Sequence, residues 1–145
     1  MTGKTLTTIL ELKGIARDQV AADIRARKQV LRDEEARLME LERALSDTVA
    51  DFSLCQTRKN LQVQDIEIHS AFCSSLQHQI ARQKERIDSL CAELAALEQA
   101  LLKADRERRQ IKRLQEKHVR QELKESLADE QKKIDERTVL RRSTS

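Results

Sequence analysis

The residues spaced most like metal ligands are His69 and Cys73, four apart and so on one face of a helix, with His78 further along. Zinc takes three or four ligands from a closed set, so two neighbours with a stray third predict no metal. Cys73 reads instead as a small hydrophobe in a packing seam. Cys55, Cys73 and Cys91 are odd in number and far apart, which argues against a disulfide framework and for a reducing cytoplasm. No glycine-rich phosphate loop, nucleophile elbow, paired-histidine zinc helix or C-x-x-C occurs, so neither catalysis nor a cofactor is expected.

Charge offers more. There are 28 Lys+Arg against 25 Asp+Glu, with the signs interspersed. The exception runs from Arg106 to Lys124, where eight basic residues, Arg108, Arg109, Lys112 and Arg113 among them, face three acids. Such a run is either a solvated helix face or a docking stripe for an acidic surface. Nucleic acid is a poor fit, because acids alternate with the bases and only Phe52 and Phe72 are aromatic. The apolar face needed by a membrane-surface helix is narrow here. No stretch approaches the ~20 apolar residues that span a bilayer, and residues 1–12 lack the apolar core of a signal peptide.

The elements that would carry these residues follow from composition. Proline is absent, glycine is confined to Gly3 and Gly14, and charged residues make up 37% of the 145-residue chain. Sandwiches, barrels and α/β folds need more turn formers than this. The chain can bury a thin seam but not a globular core. Leu10, Ile24, Leu31, Leu38, Leu45 and Phe52 share one seven-residue register, broken by Arg17. Three residues on in each heptad come Val20 and Leu41, but also Arg27, Glu34 and Thr48. Later, Cys73, Ile80, Ile87, Leu94 and Leu101 form one row; Leu76, Leu90, Leu97, Ala104 and Ile111 form the other, with Gln83 its polar interruption. Two such rows over four heptads predict a coiled coil. Beyond Arg108 the phase slips, and Val119, Leu123, Leu127 and Ile134 follow a different face. That distal helix is more basic and should have a different partner, or none.

The registers on the two sides of residues 57–65 do not match, and Asn60 tolerates the left-handed backbone that ends helices. A reversal near Asn60 is therefore expected, rather than one unbroken helix of ~200 Å. The prediction is an all-α fold, a long antiparallel two-helix coiled-coil hairpin forming a single domain: helix one over 5–55, a turn over 57–66, helix two over 67–138 and a flexible tail over 139–145. Phe52 and Phe72 should pack near the bend. Each buried Leu or Ile would contribute about 1.5–3 kcal/mol before entropy is counted.

Two end motifs narrow the reading. The N-terminus runs Leu6-x-x-Ile9-Leu10-x-x-Lys13-x-x-x-Arg17-x-x-x-Ala21, and the C-terminal segment runs Glu130-Gln131-Lys132-Lys133-Ile134-Asp135-Glu136-Arg137. Both resemble the FliJ/YscO (SctO) family of flagellar export and type III secretion systems. The resemblance implies a non-enzymatic stalk, a monomeric hairpin whose paired termini enter a hexameric export ATPase. It further implies contact with the export gate and binding of secretion chaperones, at the cytoplasmic side of the inner-membrane machinery. It sets Gln131, Lys132, Asp135 and Glu136 at the ATPase-facing end, with Leu10, Lys13 and Arg17 beside them. The basic stretch carrying Arg108, Arg109, Lys112 and Arg113 would reach acidic loops of the ring. The alternatives are a generic scaffold or tether that homodimerises through the same stripe, and a chaperone or adaptor that wraps helical clients.

Overall fold

A computed structural model describes residues 2–58 and 62–144. Two helices account for nearly all of them: α1, Gly3–Gln56, of 54 residues, and α2, Val63–Thr144, of 82 residues. The two pack against each other as a helical hairpin, with no strand among the described residues. The reversal expected near Asn60 lies outside the described residues.

The helix ends are set by local chemistry. Thr2 caps α1: its hydroxyl accepts from the Thr5 amide at 3.3 Å, and its carbonyl accepts from the Leu6 amide at 3.2 Å. At the other end the bonding tightens to three-residue spacing, with Thr57 N–H donating to Leu54 O and Arg58 N–H to Cys55 O. The Gln62 carbonyl accepts from the amides of Asp65 and Ile66, so α2 is under way inside the segment expected as turn. Asp65 in its first turn complements the helix dipole.

Residues 139–144, expected as a tail, are helical. No glycine or proline stops the chain there, and Arg141 and Arg142 occupy the last turn, where positive charge is favoured. The hydroxyls of Ser143 and Thr144 both donate to the Leu140 carbonyl.

The chain divides into two units, Val20–Gln99 and Met1–Gln19 with Ala100–Ser145. In the first, Leu41, Leu76 and Ile80 form a buried cluster, with Leu38, Ala44 and Leu45 packed against it. Ile24 and Leu94 are buried as well. All of these except Ala44 are residues of the heptad rows. Phe52 sits near the His69 ring, centroids 5.4 Å apart and tilted, whereas Phe72 is half-exposed and does not join it. Polar residues within the rows find partners. Gln83 Nε2 donates to the Glu34 carbonyl at 2.8 Å and to Glu34 Oε2 at 2.5 Å. Arg86 Nε lies 3.1 Å from Glu34 Oε1, Arg27 pairs with Glu93, and Thr48 donates to its own helix at Ala44 O.

In the second unit the start of α1 lies antiparallel to the middle of α2. Gln115 donates to Thr7 Oγ1 at 2.9 Å, and Leu6 is buried. At Gly3 a side chain would meet the His118 ring at 3.8 Å, and at Gly14 it would meet the Arg108 guanidinium at 3.9 Å. The two glycines therefore sit where α2 side chains come close, and neither has the positive φ that only glycine tolerates well.

Candidate partner-binding surface at the chain ends

The surface is built on two segments of one unit: the first five turns of α1, and α2 from Ala100 onward. On α2 the half-buried residues Ala104, Glu107, Ile111, Gln115 and His118 recur every three or four positions, and they mark the side turned toward α1. After His118 every described residue is exposed. Because Gly3 already stands against His118, residues 119–144 run on beyond the point where α1 begins.

Lys13 and Arg17 are engaged by α2. Lys13 Nζ donates to Glu107 Oε2 at 3.0 Å, and Arg17 Nε donates to Asp105 Oδ1 at 2.5 Å. Arg17 Nη1 also reaches Asp18 Oδ1 at 3.4 Å. The hydrogen bond from Lys13, and then its charge, hold the Glu107 carboxyl below the usual carboxylate range. The hydrogen bond to Asp105, and then that carboxylate's charge, raise Arg17 further above its ordinary value. Both pairs are solvent-accessible, so they set alignment more than they add stability.

Arg17 and Asp105 line an open groove with Arg108, Arg109 and Lys112. Once Arg17 is paired with Asp105, the remaining three cations, and Arg113 after them, make no ion pair among the described residues. The groove can therefore attract an anionic group. A second, apolar groove is lined by Leu6, Leu114, Lys117, His118 and Gln121. There His118 Nε2 is buried without a hydrogen bond, and Glu122 Oε1 stands at a loose 3.5 Å from it.

The residues of the two end motifs are not side by side. Leu10 is half-buried, on the same helix as Lys13 and Arg17, whose partners are Glu107 and Asp105. Gln131, Lys132, Asp135 and Glu136 lie on the unpaired part of α2, starting about 20 Å beyond His118 at 1.5 Å per residue. The cause is the alignment fixed by Thr7–Gln115 and Lys13–Glu107, which uses up α1 before the C-terminal motif is reached. Gln131 Nε2 donates to Asp135 Oδ1 at 3.1 Å, one turn on, while Lys132 and Glu136 project freely.

Asp105, Glu107 and His118 are contacts that sequence reasoning passed over. For Asp105 the signal was Arg17, a cation in an apolar row, which called for a carboxylate opposite. No group of three or more His, Cys, Asp or Glu placed to hold a metal occurs among the described residues. No described helix is long and apolar enough to cross a membrane.

Compared with known families, residues 2–144 match the family model described as "Flagellar FliJ protein". No curated protein and no solved structure matches the chain.

Proposed function

The chain belongs to the FliJ family, and so to the components of the flagellar export apparatus; from that premise we propose that it is a non-catalytic stalk that engages and regulates the hexameric export ATPase. The unpaired end of α2, with the start of α1 beside its base, enters the ring. Gln131, Lys132, Asp135 and Glu136 meet it first, and Arg108, Arg109, Lys112 and Arg113 answer acidic loops near the rim. Elsewhere the hairpin couples the ATPase to the export gate and binds secretion chaperones.

The observation that supports this reading is the mismatch in length between the two helices. A single exposed helix of 26 residues continues past a paired base. Exposed aliphatic residues along it, Leu123 at 59% and Ile134 at 54%, are uncovered in the isolated chain. Their burial in a ring would be favourable by the same measure as any core residue. No chemistry is required of the chain, since nucleotide hydrolysis belongs to the ATPase.

The test is to mix the purified chain with the export ATPase of the same organism. Hexamer assembly should rise and turnover should increase on addition of the chain. An ATPase indifferent to it, in assembly and in rate, contradicts the proposal.

A further inference from the structure

Outside the positions of α2 that pack on α1 runs a row of cations that make no pair within the hairpin, with Arg109 and Lys117 at its margin, where they also line the grooves shared with Arg17 and Leu6. Arg106, Arg109, Arg113, Lys117, Arg120 and Lys124 follow one another at three- or four-residue steps, so they lie on one stripe about 27 Å long. All six are exposed. None makes a hydrogen bond or ion pair among the described residues, although acids are near in sequence. Glu107 is taken by Lys13, Asp105 by Arg17, and Glu122 lies nearest His118. Glu116 alone stands at the edge of the stripe. Further along, the same side of α2 presents Leu123, Leu127 and Ile134, all more than half exposed.

We propose that this stripe adsorbs the hairpin to an anionic phospholipid surface. A row on the outward side of a helix lies along a plane without needing a concave partner. A cluster of four to eight Lys and Arg on a helix is the charge pattern that anionic headgroups attract. Leu123, Leu127 and Ile134 give the helix a shallow apolar edge to set against the headgroup boundary, with too little area to anchor it alone. The scarcity of aromatic residues leaves no platform for stacked bases, which separates this stripe from a single-stranded nucleic-acid track. Attachment of this kind is reversible and salt-sensitive.

The experiment is co-sedimentation of the full chain with vesicles of three parts phosphatidylcholine to one part phosphatidylglycerol. Controls are vesicles of phosphatidylcholine alone and the mixed vesicles at raised salt. Wild type should bind the mixed vesicles, ignore the neutral ones and detach at high salt. The variant Arg113→Gln/Lys117→Gln/Arg120→Gln/Lys124→Gln should bind at least about tenfold more weakly, each Lys or Arg near such a surface being worth about a fivefold factor. Arg25→Gln/Arg37→Gln/Arg43→Gln/Arg82→Gln removes the same charge elsewhere and should bind like wild type. The smaller change Lys117→Glu/Lys124→Glu, whose helicity and melting are checked beside wild type, carries the same test should the fourfold variant fold poorly. Equal loss in both fourfold variants, or no loss in either stripe variant, overturns the proposal. So does a wild-type chain that binds poly-glutamate but not the mixed vesicles, which would assign the stripe to an acidic protein. Arg109, Arg113, Leu123 and Ile134 are shared with the ring contact proposed above, but the vesicles contain no ATPase, so these readings fail or hold separately from that function.

Discussion

Glu34 and Gln83, two polar interruptions in otherwise apolar rows, meet each other across the hairpin. The Gln83 amide donates to both the backbone carbonyl and the carboxylate of Glu34, and Arg86 takes the other carboxylate oxygen. A one-residue slip of α2 would leave the amide and carboxylate without each other. A polar pair of this type selects one alignment of two helices at some cost in stability.

Gln83→Ala should therefore destabilise the chain by about 1 kcal/mol, the usual net value of a hydrogen bond whose partner stays behind. Glu34→Leu/Gln83→Leu should recover that loss or exceed it, with a less well-defined alignment. Denaturant unfolding of both variants measures the energies. A Gln83→Ala midpoint equal to wild type would show that the pair is not formed in solution.

The aliphatic seam should respond more strongly. Leu76 is 5% exposed and packs with Leu41 and Ile80, whereas Leu127 is 57% exposed on the unpaired end of α2. Leu76→Ala should cost about 2–4 kcal/mol, and Leu127→Ala less than about 0.5 kcal/mol. Thermal or chemical unfolding of the two proteins side by side reads the contrast. Similar losses would mean that Leu76 is not in a seam, or that Leu127 is covered in solution.

How much of this was legible in the sequence differs between the two kinds of residue. The heptad rows name Leu38, Leu41, Leu45, Leu76, Ile80 and Leu94 correctly, because burial follows the helical period. The polar residues Arg17, Arg27, Glu34 and Gln83 look like faults when each row is read alone, and their meaning lies in the facing row. Their alignment depends on pairing between distant segments, which spacing along one strand of sequence does not reveal. The same limit explains the candidate surface. Leu10, Lys13 and Arg17 were expected beside Gln131 and Asp135, yet where α1 begins relative to α2 is fixed by cross-pairs such as Lys13–Glu107. The helical character of residues 139–144 is not legible either, since six residues are too few to show a period.

Lys13 and Glu107 give a pH signature. The Glu107 carboxyl is held below its ordinary value of 4.5 by the Lys13 hydrogen bond and charge. A carboxyl with a lowered folded-state pKa stabilises the fold above its unfolded pKa, and that contribution is lost as pH falls through the lowered value. The melting temperature should thus decline below about pH 4.5, and Lys13→Gln should make this decline shallower. The effect should shrink in high salt because the pair is accessible. Parallel pH–melting curves for wild type and Lys13→Gln would contradict this assignment.

The end of α2 carries the functional claim, and Asp135→Ala/Glu136→Ala probes it with the least disturbance to the fold. Both side chains are exposed and lie beyond the contacts with α1 among the described residues, so helicity and melting should match wild type. Titration of the purified export ATPase with wild type and with this variant, read by binding and by turnover, is the direct measurement. The account predicts affinity weaker by about tenfold, equivalent to 1.4 kcal/mol, with stimulation reduced in step. Equal affinity and equal stimulation would contradict an engagement made through the unpaired end of α2.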